Sequence, residues 1–164
     1  MRHGMSEMNK LGLFSGRSDT PLAPEGVEQC KLEARKLKGV KVDVIVSSPM
    51  RRAIDSARTV AKEIGFPEEN IILSDLFMER DLGSLEGSNY IHFRDMNVFE
   101  GVEHSKDLIV RTKEAYAFLN KLDADTVLVV SHSATGRALT HVINPSKKFS
   151  QISGFRNAEI VKLI

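Results

Sequence analysis

The sequence predicts an α/β protein: a three-layer α/β/α sandwich around a mostly parallel sheet with an antiparallel edge strand. Three observations carry this reading. Short, unbroken aliphatic runs such as Val127-Leu128-Val129-Val130 have the composition of strands buried on both faces. Stretches with apolar residues at helical spacing separate those runs. The last segment, Ala158 to Ile164, instead sets Ile160, Lys162 and Ile164 against Val161 and Leu163, the pattern of a strand nearer a sheet edge. Strands that alternate with amphipathic helices form layered folds with parallel sheets.

The elements follow in chain order. From Gly26 to Leu37, Val27, Cys30, Ala34 and Leu37 lie on one stripe, and Pro24 and Glu25 suit the first turn of a helix. Val42, Val44, Ile45 and Val46 form a strand that ends at Ser47-Ser48-Pro49. Ala53, Ala57, Val60, Ala61 and Ile64 repeat as one helix face, stopped by Gly65 and Pro67. Ile71 to Leu73 is a second short strand, and Leu108, Ala115, Leu119 and Leu122 mark a longer helix from about Ser105. Thr126 to Val130 is the strongest strand, and a helix with Ala138, Leu139 and Val142 begins after Ser133. Phe93, Met96 and Phe99 read as a small satellite of the core.

Composition narrows the function classes. At 164 residues and 18.3 kDa the chain is one domain, residues 1–164, with 23 basic against 22 acidic side chains. A formal charge of +1 gives no reason to expect binding to nucleic acid or to an anionic membrane, so any anion site must be local. The single cysteine, Cys30, excludes an intramolecular disulfide and suits a reduced compartment. With no apolar run near the length of a membrane span and no leader-like start, the expectation is a cytoplasmic protein. An oligomer is possible but not predicted, because Lys162 would discourage pairing along the last strand.

Four loop segments hold the reactive side chains. Arg2-His3-Gly4, with Ser6 and Asn9, combines a nucleophile, a cation that can grip an anion, and room for close backbone approach. Ser47-Ser48-Pro49-Met50-Arg51-Arg52 leads from a strand into a helix N-terminus, where free N–H groups favour anions. Glu79-Arg80-Asp81-Leu82-Gly83, then Glu86-Gly87, is a charged loop that out of context would be a solvated turn. Ser131-His132-Ser133 follows the strongest strand, with Arg137 five residues past the histidine. Two histidines, several arginines and an acid at loop positions of one α/β domain suit phosphoryl transfer through a phosphohistidine.

In combination these blocks resemble the histidine phosphatase superfamily, which includes the cofactor-dependent phosphoglycerate mutases. Arg2-His3-Gly4 with Asn9 is similar to its signature loop, and Asp19, Pro21, Leu22 and Gly26 to the segment that follows. Ser48-Pro49-Met50-Arg51-Arg52-Ala53 resembles its Ser-Pro-Leu-x-Arg-Ala motif, which makes Arg52 the matching clamp. Glu79 with Gly83, Glu86 and Gly87 resembles the acid-bearing loop, and Ser131-His132 with Arg137 the second-histidine motif. The resemblance implies a phosphoglycerate mutase-like fold and a role for each position. His3 would attack phosphorus; Arg2, Asn9, Arg52 and His132 would hold phosphate oxygens; Glu79 would serve as general acid and then base. It implies a small phosphorylated substrate, no cofactor and no metal.

The departures bear on activity. Ser133 stands where the family usually has glycine. The strand that normally leads into the signature loop is absent. Either the true start lies upstream of Met1, or the loop begins at the terminus unsupported; in the second case Arg2 and His3 are poorly preorganised, activity is weak, and native residues added upstream would raise turnover. A mutase would need a long insertion with an arginine pair between acid and second histidine, whereas Arg80 to Ser131 contains no Arg-Arg pair. Leu82 and Ala134 replace a mutase-like tyrosine and asparagine. A phosphatase is therefore expected over a mutase, and over a non-catalytic phosphate-binding module, which would need neither His3 nor Glu79. Arg17, Arg80, Tyr90, His92 and Arg94 are candidates for the pocket mouth but read as surface residues.

Overall fold

Val44–Ser47 forms β1, Ile72–Leu73 forms β2 and Val127–Val130 forms β3, in the order β2-β1-β3 and all parallel. The structure, a computed structural model, describes residues 1–90, 93 and 95–164. The register pairs Val44 with Val127 and Ser47 with Val130. Strand side chains alternate between faces, and both faces here are covered. Ile45, Leu128 and Val130 meet Cys30 and Ala34 of helix α2 (Pro24–Ala34) and Ala53, Ala57, Val60 and Ala61 of α3 (Arg51–Ile64). Val44, Val46, Val127 and Val129 turn the other way, onto Phe77 and onto Ala115 and Phe118 of α4 (Ser105–Leu119). Helix α5 (Ser133–Ile143) packs beside α4, completing the third layer. A one-turn helix α1 (Glu7–Lys10) follows the first loop.

Local chemistry explains the boundaries. Pro24 begins α2, where its missing N–H costs nothing, and the helix tightens into a 3-10 turn at Arg35–Leu37. The face α3 turns to the sheet is almost all alanine, so helix and sheet approach closely. That helix ends at Gly65, whose φ of 73° closes the cap by donating to Ala61 and Lys62 carbonyls. Phe93, Met96 and Phe99 pack with Phe14 on Leu82, Leu85 and Val102, a cluster separate from the two sheet faces.

Two expectations need correction. The Arg2-His3 loop is not unsupported. Ser131 donates to Met1 O at 2.9 Å, His3 N–H donates to Ser131 O at 2.9 Å, and Arg2 bridges Ser131 in the parallel sense. On the other side Arg2 N–H donates to Glu159 O at 3.1 Å and Ala158 N–H to His3 O at 2.9 Å. The antiparallel edge strand at Ala158–Ile164 does not form; only Ala158 and Glu159 meet a neighbour, running opposite to Arg2 and His3. Ala158 itself takes a φ of 59°, which breaks the extended backbone at the start of the segment. Beyond Glu159 there is no adjacent strand among the described residues to pair with. No helix among the described residues is long and apolar enough to cross a membrane.

Candidate active site

The loops at the carboxyl ends of the strands carry the reactive groups, the usual location in open parallel sheets. His3 follows the bridge to Ser131, Ser48 follows β1 and His132 follows β3. The rings of His3 and His132 lie with centroids 5.1 Å apart and planes inclined at 60°. His3 Nδ1 donates to the Gly4 carbonyl at 2.6 Å, which makes Nε2, on the opposite side of the ring, the acceptor. Arg52 Nε–H reaches that Nε2 at 3.3 Å. His132 Nε2 shares a 2.8 Å hydrogen bond with Ser48 Oγ, and its Nδ1 is buried with no partner among the described residues. Burial, reinforced by the charges of Arg52 and Arg2, holds His3 well below the ordinary histidine pKa, and burial with Arg52 does the same for His132. Both rings are therefore neutral at neutral pH, the form in which Nε2 can act as a nucleophile.

Two arginines frame the histidines. Arg52 is 1% exposed; its Nη1 and Nη2 grip Ser18 O at 2.9 Å and Gly16 O at 2.7 Å. Arg51 points outward, 3.8 Å from Asp55, while its main-chain N–H is capped by Asp19 at 2.8 Å. Arg2 Nη1 donates to Phe155 O at 2.7 Å and its Nε is buried without a partner among the described residues. Burial disfavours both buried guanidinium charges and the Glu79 carboxylate counteracts it. Glu79 thus lies within electrostatic reach of both arginines.

The first turn of α5 holds Glu79: Ala134 N–H and Thr135 N–H each donate to its carboxylate at 3.3 Å, and Arg80 N–H does so at 2.9 Å. Its main chain is clamped as well. Thr135 Oγ1 donates to Met78 O at 2.6 Å, and Arg111, paired with Glu103, donates to Leu76 O and Met78 O at 2.9 Å. Glu86 serves a different purpose from Glu79. Its carboxylate accepts from Arg17 N–H at 2.7 Å and Ser18 N–H at 2.9 Å, bracing the loop whose carbonyls orient Arg52.

Asn9 closes a capping box with Ser6; its Oδ1 accepts from Asn157 at 3.0 Å and its Nδ2 donates to Tyr90 Oη at 2.7 Å. Asn157 also donates to His3 O and Gly4 O. Thus His3, His132, Arg2, Arg52 and Glu79 converge, with Asn9 joined to them through Asn157. Tyr90, read from sequence as a surface residue, is 48% exposed; its hydroxyl reaches Asn9 and its ring packs edge-on against Phe14. Arg80, read from sequence as a surface residue, is a correction: it is buried, spent on Glu103 O and Asn97. His92 and Arg94 lie outside the described residues. Arg137 sits over the Phe149 ring at 4.6 Å and ties α5 to the C-terminal loop. Asn157, Thr135 and Arg111 were not singled out from sequence. Thr135 alone carried a signal, being one turn beyond His132 on the same helix.

A family profile described as the histidine phosphatase superfamily (branch 1) matches residues 1–164. The chain belongs to the histidine phosphatase superfamily. Among relatives of this histidine phosphatase-family chain, a 2,3-bisphosphoglycerate-dependent phosphoglycerate mutase of Methylobacterium sp. is 31% identical over 163 residues, covering 87% of this chain and 78% of the relative. A Schizosaccharomyces pombe protein named as a probable phosphatase is 30% identical over 150 residues, covering 86% and 70%. For three further relatives, 38–40% identical, the matched segment spans 43% of the relative's length. A solved mycobacterial glucosyl-3-phosphoglycerate phosphatase superposes with a TM-score of 0.83 at 23% identity, covering 96% of this chain and 87% of that one, which shows the shared fold.

The buried bases of this histidine phosphatase-family chain set the pH dependence of its stability. His3 and His132 are held neutral, and burial lowers the Met1 amino group from 8.0 to about 5. The unfolded chain therefore binds more protons than the folded one: below pH 8 at the amine and below about 6.5 at the histidines. Stability accordingly rises with pH between about 5 and 8, by up to about 1.4 kcal/mol per pH unit for each group. Urea denaturation at pH 5, 6.5 and 8 measures this; a flat or falling midpoint contradicts it.

Proposed function

We propose that the protein is a phosphomonoester hydrolase that acts on a small phosphorylated metabolite through a phosphohistidine intermediate, without a metal. The supporting observation is the polarity of His3. With Nδ1–H committed to Gly4 O, the ring turns its Nε2 lone pair toward Arg52, whose Nε–H it accepts at 3.3 Å, beside the His132 ring. His3 Nε2 attacks phosphorus; as the P–N bond forms, the bond to the leaving oxygen breaks and Glu79 supplies the proton that oxygen needs. Arg2, Arg52 and His132 stabilise the charge on the phosphoryl oxygens, and Asn9 supports their placement. In the second step Glu79 takes a proton from water, the oxygen attacks phosphorus, the P–N bond breaks and phosphate leaves with His3 neutral again.

Relatives named as mutases make isomerisation the competing reading. Against it, the chain between Glu79 and His132 contains no adjacent arginine pair to grip a second anionic group. Leu82 is buried in the Val102 cluster rather than available to substrate. One pair of assays separates the readings. Incubation with p-nitrophenyl phosphate should release phosphate. Incubation with 3-phosphoglycerate and catalytic 2,3-bisphosphoglycerate should give no isomerisation above the rate of phosphate release. Isomerisation without net release would establish the mutase, and silence in both assays would leave a phosphate-binding module.

A further inference from the structure

Glu79 sits in residues 78–82, which belong to no helix or strand. Such a segment has no ladder to answer its carbonyls, so partners must come from elsewhere. Arg111 supplies them. Its Nη1 donates to Leu76 O and Met78 O, both at 2.9 Å, and its Nη2 to Glu79 O at 3.4 Å. Arg111 stands three residues after Leu108 and four before Ala115, so it shares the buried stripe of α4. A charge in that place is costly unless it is paired.

Glu103, just ahead of α4, is the pair. It accepts from Arg111 Nε at 3.0 Å and from Nη2 at 2.9 Å, a two-pronged arrangement that fixes the guanidinium plane. Burial opposes the Glu103 charge, and Arg111 outweighs it, so the carboxylate stays ionised. Glu103 also holds the chain on the far side of Glu79. Its carbonyl accepts from Arg80 Nε at 2.7 Å, its N–H donates to Asp81 O at 3.0 Å, and its carboxylate accepts from Asp81 N–H at 3.3 Å. Arg111 thus grips residues 76, 78 and 79 while Glu103 grips 80 and 81. The ion pair joins the two grips.

We propose that Arg111 and Glu103 are positioning residues for Glu79: their ion pair brackets the backbone of the acid, so that its carboxyl is delivered to the leaving oxygen. This rests on the reading of Glu79 as general acid and deepens it. Neither side chain bonds the Glu79 carboxylate, which the N–H groups of Arg80, Ala134 and Thr135 hold. Loosening the bracket therefore shifts where the acid sits and leaves its own donors in the protein. Proton delivery is sensitive to placement, and an error of about 1 Å can cost about a hundredfold. Thr135 Oγ1 still holds Met78 O, so the shift is partial. A leaving group that departs readily as an anion needs little help from Glu79, whereas a poor one depends on its proton. A weakened bracket thus penalises poor leaving groups selectively, which a general loss of stability does not.

The test measures kcat/KM on p-nitrophenyl phosphate and on phenyl phosphate, which share a ring and differ in how well the phenol leaves. Arg111→Lys keeps the charge and loses the fork, and Glu103→Gln keeps the shape and loses the charge. Each should lower kcat/KM on phenyl phosphate at least about fivefold more than on p-nitrophenyl phosphate. Glu79→Gln should move the ratio of the two further in the same direction. Cooperative thermal unfolding verifies that each variant is folded; if Arg111→Lys is not, Glu103→Gln decides. Equal losses on the two substrates, or no loss in a folded variant, would overturn this inference alone. A parent chain that hydrolyses neither substrate would overturn the phosphatase reading, and this inference with it.

Discussion

His3→Ala lowers the rate of phosphomonoester hydrolysis by about a thousandfold or more, because the phosphoryl acceptor is removed and direct attack by water is left. The fold should survive. His3 is 3% exposed, and its side chain makes a short hydrogen bond to the adjacent Gly4 O and accepts a longer one, 3.3 Å, from Arg52, which keeps its bonds to Gly16 O and Ser18 O. The links that hold the loop are main-chain ones to Ser131 and Ala158, which alanine retains. The variant should therefore unfold cooperatively within a few degrees of the parent. Arg51→Ala serves as the control on the neighbouring motif: its side chain is solvent-facing and its N–H to Asp19 is backbone, so turnover should change less than twofold. A His3→Ala protein that keeps a tenth of the parent's rate would sink the phosphohistidine mechanism.

Gly4→Ala should cost more stability than any ordinary core truncation, at least about 3 kcal/mol. The backbone at Gly4 lies against the first turn of α2, where an added methyl group would collide with the Gly26 carbonyl oxygen and the Cys30 sulfur. Gly26 is constrained in return, since a methyl group there would strike the Met5 carbonyl. Neither partner can move cheaply. Met5 O receives the Ala23 N–H at 2.9 Å, and Gly4 N–H is bound to Ser56 Oγ on α3 at 2.9 Å. Shortening the sulfur side with Cys30→Ala should restore only part of the loss, because the carbonyl clash remains. Guanidinium denaturation of Gly4→Ala and of Gly4→Ala combined with Cys30→Ala measures this; a Gly4→Ala cost below about 1 kcal/mol would show that the two backbones can separate.

What was legible in the sequence and what was not divides along physical lines. The central strands were readable because burial on both faces writes Val44 to Val46 and Val127 to Val130 as unbroken aliphatic runs. Gly65 was readable because the helix stop needs a left-handed residue. The inward turn of Arg52, against the outward turn of Arg51, follows from α3 geometry: Arg52 stands four residues before Ser56, on the face that includes Ala53 and Val60. Ala158–Ile164 misled because alternation states what a strand would look like and not whether a neighbour exists to pair with it. Asn157 and Arg111 were invisible for a related reason. An asparagine in a turn and an arginine on a helix have no pattern until the fold brings His3 O and Met78 O to them.

The bonds from Asn157 and Ala158 to the carbonyl of His3 join positions more than 150 residues apart. Contacts of such sequence separation form late, since the entropy of closing the intervening loop must first be overcome. During synthesis the helices and β1–β2 can assemble while His3 still lacks these two supports. His3 is thus fixed in place only after residues 157 and 158 have been made. A ribosome stalled before Asn157 would carry a chain in which Arg52 can still be held by Gly16 O and Ser18 O while His3 lacks both of these bonds.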